Sequence, residues 1–347
     1  MKDVFEKLPL YERVRTSFKD VLEGDRHSFR KIEPNLVEHE EVFAKTLGVS
    51  SDIVLKEMYS ISGKGDDDKS GRLVLRPEGT AGVLRSLLTN PSLNLQRQQV
   101  KVWYYGPMYR HERPQAGRLR QFYQLGVESV GGAPHDRGLA IQSDLEAITT
   151  AWNCLKSTLD GAQTLLDSLV VEINNLGGRE TLKDYNSIVL EAIRAESAKL
   201  SPLSLRRFES GHALRILDSK SPADQELLES LDLPSIDSCM PDSERLQFEE
   251  LCEHLKLSGI RIKRNEKLVR GLDYYNGTCF EIKCPLGNSA LGKSQNTLVA
   301  GGRYDYLAEV LTGKCGKIPA VGWAAGVDRL VLLLEEHKLN PHESNKP

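Results

Sequence analysis

From Leu8 to Leu22 the apolar residues Leu8, Leu10, Val14, Phe18, Val21 and Leu22 recur at roughly helical spacing with charges between them. This pattern predicts an amphipathic helix. After Gly24, the segment SFRKIEPNLVE reads as a strand that stops at Pro34, because proline cannot donate to a sheet ladder. Between Met58 and Thr80 two apolar runs, MYSI and RLVLR, flank a loop rich in glycine and aspartate and predict a β-hairpin. A helix follows near Thr80–Leu88. Two longer aromatic runs, Val100–Arg110 and Arg120–Gly131, then enclose HERPQAGRL. They read as an antiparallel hairpin with a long connector. Residues Asp144–Leu159 read as helix.

Past Leu165 the texture changes. VVEINNLGG is a short strand and turn, and mostly polar helical segments continue through SERLQFEELCEHLKLSG. Aromatics return at RGLDYYNGTCFEIK and LVAGGRYDYL, and AVGWAAGVDRLVLLLEE reads as strand, glycine and helix. We therefore expect two parts of one main domain, 1–164 and 268–347, split by a small helical insertion over 165–267 that does not continue the sheet.

Composition narrows the class. With 347 residues, 39% apolar and 27% charged, the chain resembles an ordinary globular protein with enough length for a sizeable core. Its longest aliphatic run, Leu330 to Leu334, is too short to span a bilayer, so no membrane partner is expected. The start, MKDVFEKLPLYERV, has neither secretory nor transit character. Six scattered cysteines without a CxxC pair read as free thiols in a reducing compartment. Asp66, Asp67 and Asp68 read as a solvated loop tip, since no cation-liganding pattern surrounds them.

The net charge of −3 excludes a globally basic nucleic-acid binder but hides local asymmetry. Lys101, Arg110, Arg113, Arg118 and Arg120 face Glu112 alone in their stretch, and Arg261, Lys263, Arg264, Lys267 and Arg270 face only Glu266. Guanidinium forks on an aromatic hairpin suit polyphosphate oxygens. There is no Walker loop, no GxSxG elbow and no HExxH spacing. A nucleotide here must be held by arginine clamps on an antiparallel sheet.

These residues carry a family resemblance. YRHERPQAGRLRQFYQLGVE is similar to the second signature motif of class II aminoacyl-tRNA synthetases, GWAAGVDRLVLLL to the third and FRKIEPNLVE to the first. RGLDYYNGTCFE and AGGRYDYL resemble the two histidine-binding signatures of bacterial-type histidyl-tRNA synthetases, and LRILDSKSPADQELL resembles their insertion. The resemblance implies an α+β fold, a class II antiparallel sheet flanked by helices with a small helical insertion domain. It also implies a homodimer through the Pro34 region, ATP with Mg²⁺, L-histidine, and the acceptor end of tRNA(His). A cytoplasmic location is implied, an organelle being the other option, and no resident protein metal.

Carried over by position, the resemblance makes Arg110 the grip on the α-phosphate and on the histidine carboxylate, and Arg270 the catalytic arginine. Glu112, Arg118, Phe122 and Arg329 would line the ATP pocket, with the adenine between Phe122 and Arg329. Glu78, Gly79, Thr80 and Gln124 would hold the α-ammonium group. Glu128 and Tyr275 would hold the imidazole, walled by Tyr274 and Tyr304. The family's anticodon-binding domain has no counterpart in this sequence and is expected to be absent, with weaker tRNA affinity as the consequence. Two activities remain open: a histidine–tRNA ligase, or an inactive paralogue that senses histidine for ATP phosphoribosyltransferase or senses tRNA.

Overall fold

The computed structural model describes residues 6–48, 51–62, 71–115, 117–217, 219, 221–269, 274–285, 290–291 and 296–339. The aspartate-rich loop and Arg270 lie outside these residues. Helix α1 (Leu8–Glu23) leads to β1 (Arg30–Lys31), β2 (Val37–His39) and α2 (Glu40–Leu47). A π-helical turn (Ile53–Glu57), β3 (Ser60–Ile61), β4 (Leu73–Leu75) and α3 (Thr80–Leu88) follow. The hairpin β5 (Gln99–Tyr109) and β6 (Gln121–Gly131) runs into α4 (Arg137–Thr158), α5 (Gln163–Ser168) and β7 (Val170–Asn175). Next come α6 (Arg179–Arg194), α7 (Pro202–Glu209), α8 (Leu214–Leu217), α9 (Pro222–Ser230) and α10 (Asp242–Leu257). The chain closes with β8 (Ile262–Arg264), β9 (Thr278–Lys283), β10 (Thr297–Arg303), α11 (Leu307–Thr312), β11 (Ala320–Gly326) and α12 (Val327–Glu336).

Eight strands form one sheet in the order β1-β5-β6-β11-β10-β9-β7-β8. The six central strands are antiparallel, and the short edge strands β1 and β8 run parallel to their neighbours. The expected antiparallel sheet is thus mixed at its edges. Strand alternation divides the core between its two faces. Trp103, Leu125, Val127, Ile173 and Phe280 join Val14, Phe18 and Leu22 of α1 with Ile148, Ala151 and Leu155 of α4 on one face. Val102, Tyr104, Met108 and Cys279 join Val83, Leu84 and Leu87 of α3 and the tyrosines Tyr274, Tyr275 and Tyr304 on the other.

The helical region differs from expectation at both ends. β7 and β8 pair with each other and β7 pairs with β9, so the sheet continues into the span read as insertion. Phe248, Leu251 and Leu255 of α10 are buried in the main core. A separate core is confined to Tyr185, Val189, Ile193, Leu200, Ala213, Ile216, Leu227, Ile236 and Met240. Polar texture marks the change of composition, but a six-residue strand carries no local sign of which sheet it joins.

Candidate active site

The hairpin β5–β6, the start of α3 and strands β9, β10 and β11 enclose a cavity of about 940 Å³. Its lining includes Glu78, Thr80, Arg110, Glu112, Arg118, Phe122, Gln124, Tyr274, Tyr275, Tyr304 and Arg329. Residues more than 250 positions apart in sequence are gathered there by the central strand order. Among the described residues, two of the expected site residues do not line it: Gly79, which packs against the Tyr104 ring, and Glu128, which lies behind Thr80 and Tyr304.

At one end, Glu78 lies buried before α3, its carboxylate oxygens accepting from the backbone N–H of Thr80 at 2.7 Å and of Ala81 at 2.9 Å. This cap stabilises the helix start, whose dipole favours an anion. Burial raises the Glu78 carboxyl above its usual range, opposed by those two N–H groups and by Arg110. Glu128 is 1% exposed; it accepts from the Thr80 hydroxyl at 2.7 Å and from the Tyr304 hydroxyl. Desolvation pushes its carboxyl up to about 8. Gly322 on the neighbouring β11 leaves room for it, since a Cβ there would fall 1.9 Å from Glu128 Oε2. Tyr274 and Tyr304 meet edge to face with ring centroids 5.6 Å apart, and Tyr275 stacks at 4.6 Å from Tyr274. Tyr304 is aimed by its neighbour: Arg303 is buried between Asp144 at 2.6 Å and Asp305 at 2.9 Å.

At the other end three guanidinium groups converge. Arg110 lies over the Phe122 ring at 5.2 Å and donates from Nε to the Pro77 carbonyl at 2.9 Å. Arg118 pairs with Glu112, and Arg110 lies 3.8 Å from the same carboxylate. Arg329 donates to the carbonyls of Gly117 at 3.2 Å and Thr297 at 2.5 Å. Its pKa is lowered first by burial and then by Arg118 and Arg110, so cation repels cation across the cavity. The α12 start that carries Arg329 is tied down by Asp328, which accepts from the Tyr11 hydroxyl and the Tyr123 N–H, each at 2.6 Å.

The sequence reading missed several lining residues. Tyr104, Glu281 and Lys283 face the cavity from the main sheet, Glu57 from the π-helical turn, and Ser201, Arg207 and Arg215 from the helical region. The helical region is held there by Arg215, donating to the Leu47 carbonyl at 2.7 Å, and by Arg207 near Asp52 at 3.5 Å. Only Tyr104 had a local signal, its place in the aromatic run of β5.

The family profile described as histidyl-tRNA synthetase matches residues 6–330. The chain belongs to the histidyl-tRNA synthetase family. A histidine–tRNA ligase of Francisella tularensis subsp. holarctica is 41% identical over 321 residues, 92% of this chain and 70% of the relative. A protein described as a probable mitochondrial histidine–tRNA ligase of Dictyostelium discoideum is 37% identical, covering 98% of this chain and 68% of the relative. Among solved structures, apo histidyl-tRNA synthetase of S. aureus shares the fold of this family member with a TM-score of 0.70. That likeness, at 24% identity, covers 97% of this chain and 73% of the other.

Proposed function

We propose that the chain is a histidine–tRNA ligase. It condenses L-histidine with ATP to histidyl-adenylate and pyrophosphate, then transfers histidine to the 3′ end of tRNA(His) and releases AMP. The observation that carries the reading is the polarity of one cavity within a member of this family: buried carboxylates and tyrosines at one end, three converging arginines at the other. The first end suits a cationic amino group and an imidazole, the second a polyphosphate. The sensor alternative has less support, because relatives that match 92% and 98% of this chain are named ligases.

In this reading the arginines repel one another until a nucleotide enters, and the triphosphate relieves that repulsion. Arg110 bridges the two reactants, gripping the α-phosphate and the histidine carboxylate, which attacks the phosphorus in line. Phe122 and Arg329 hold the adenine, and Glu112 and Arg118 border it. Mg²⁺ arrives with ATP and is coordinated by its phosphates. Arg270 stabilises the charge gained on the α-phosphate. Glu78, Gly79, Thr80 and Gln124 shape the ammonium pocket, while Tyr275 meets the imidazole directly and Glu128 acts from behind Thr80 and Tyr304. Little covalent work falls to the protein; positioning and electrostatics supply the rate.

Partner assignments follow from the same reading: the tRNA acceptor end as substrate, a second copy of the chain through the Pro34 region, and the cytoplasm or an organelle as location. Among the described residues no helix is long and apolar enough to cross a membrane. We expect ATP–pyrophosphate exchange that depends on L-histidine and ignores the other amino acids. A folded protein without that exchange, yet able to bind histidine, would restore the sensor.

A further inference from the structure

Among the described residues, four enclosed side-chain atoms on the cavity wall have no conventional hydrogen bond, Glu112 Oε2, Arg207 Nε, Gln124 Oε1 and the Tyr104 hydroxyl, and of these residues Glu112 and Arg207 are ion-paired, with Arg118 and Asp52. Gln124 belongs to the ammonium pocket already described. Tyr104 does not belong to any role assigned so far. Resting on the reading above, we propose that the Tyr104 hydroxyl is a direct binding contact for the substrate's α-ammonium group, joining Glu78, Thr80 and Gln124 in its pocket.

The argument starts from proton count. An ammonium group has three N–H donors and needs three acceptors when it leaves water. Glu78 supplies the charge and Gln124 Oε1 an open carbonyl. Thr80 is the hydrogen-bonding neighbour of Tyr104, but its single hydroxyl proton goes to Glu128 Oε1 at 2.7 Å, so Tyr104 can only donate to it. The Tyr104 hydroxyl therefore keeps lone pairs for a ligand.

Its position is fixed. Tyr104 is 1% exposed, and its ring end is wedged between two glycines. A Cβ on Gly79 would come within 2.3 Å of the ring and 2.7 Å of the hydroxyl oxygen, and one on Gly126 within 2.4 Å of that oxygen. The hydroxyl cannot swing away to find a partner elsewhere. Contact with Gly79 puts it between Glu78 and Thr80, at the ammonium end. The acidic groups that act on it are Glu128 and Glu78, both raised by burial, and a cation beside them would favour their charged forms. A phenylalanine would fill the same slot without enclosing this hydroxyl, whose lone pairs stand open to a ligand in the cavity.

The test compares Tyr104→Phe with wild type in the full chain, using calorimetric binding without ATP. The probes are L-histidine, histamine, which keeps ring and amine, and imidazolepropionate, which keeps ring and carboxylate but lacks the amine. The variant is expected to stay folded, losing at most the contact of the hydroxyl with Thr80, which a thermal melt reads. Affinity for L-histidine and for histamine should each fall about tenfold or more, the worth of one hydrogen bond to a charged group. Imidazolepropionate should bind wild type and variant alike. Unchanged histidine or histamine affinity overturns the assignment, and so does equal weakening of all three probes. A wild-type chain that fails to bind L-histidine refutes the reading of the whole site instead, which separates the two failures.

Discussion

Glu128 shows how burial turns a recognisable residue into a titrating one. Its carboxyl is pushed up to about 8 from a usual value of 4.5, chiefly by desolvation, while the Thr80 and Tyr304 hydroxyls pull the other way. Between these two values the folded protein retains a proton that the unfolded chain releases. Stability without ligand must therefore fall as pH rises through that window, and it is fully present only below it. Glu128→Gln carries no such proton. Its melting temperature should exceed that of wild type at about pH 8, with the difference closing towards about pH 4.5. A constant difference across the range would show that Glu128 does not titrate there. Thermal melts of the two proteins in matched buffers decide it. The motif made Glu128 legible as a site residue. Its depth behind Thr80 and Tyr304 was not legible, because that offset comes from β11 packing through Gly322.

At the scale of elements, the long hairpin was legible and the sheet's far edge was not. β5 and β6 are 11 residues each, bounded by turn signals and rich in aromatics, so local pattern and tertiary pairing agree. β7 and β8 are decided by partners more than 90 residues apart, Val171 beside Ile262, and no local period records that. AGGRYDYL is a parallel case, in which the resemblance singles out Tyr304 while the packing depends on its neighbour. Arg303 sits with Asp144 of α4 and Asp305 at the end of β10, all buried, and also donates to the Ala140 carbonyl at 2.8 Å. Arg303→Met would strand Asp144 in the interior with only the Thr278 hydroxyl, while Asp305 would keep Lys317 at 3.3 Å. We expect a loss of about 3–5 kcal/mol in urea unfolding at neutral pH, the cost of breaking a buried ion pair from one side. Adding Asp144→Asn should recover part of it by removing one stranded charge. No recovery would mean that the arginine acts through packing alone.

At the scale of the whole molecule, the small sheet is unfinished. Its order is β2-β4-β3, so among the described residues β2 is an edge, and Leu36 and Val37 are 44% and 42% exposed there. An open edge with apolar side chains invites a partner strand or face. The same segment is wired to the cavity. Arg76 donates to the Pro34 carbonyl at 2.5 Å and to the Pro107 carbonyl at 3.0 Å, while its own carbonyl accepts from the Tyr109 N–H at 3.0 Å. Arg110, next along the chain, donates to the Pro77 carbonyl at 2.9 Å. A second copy docked on this edge would hold Pro34, and through Arg76 the strand that aims Arg110. We therefore expect sedimentation velocity to give twice the 38.8 kDa chain mass at micromolar concentration. Val37→Glu should dissociate the dimer, since an unpaired charge would be buried at the interface. Histidine-dependent pyrophosphate exchange should fall in step with dissociation, and recover as the variant is concentrated. A wild-type monomer would exclude the interface. A monomeric variant with full activity would keep the dimer but cut its link to Arg110.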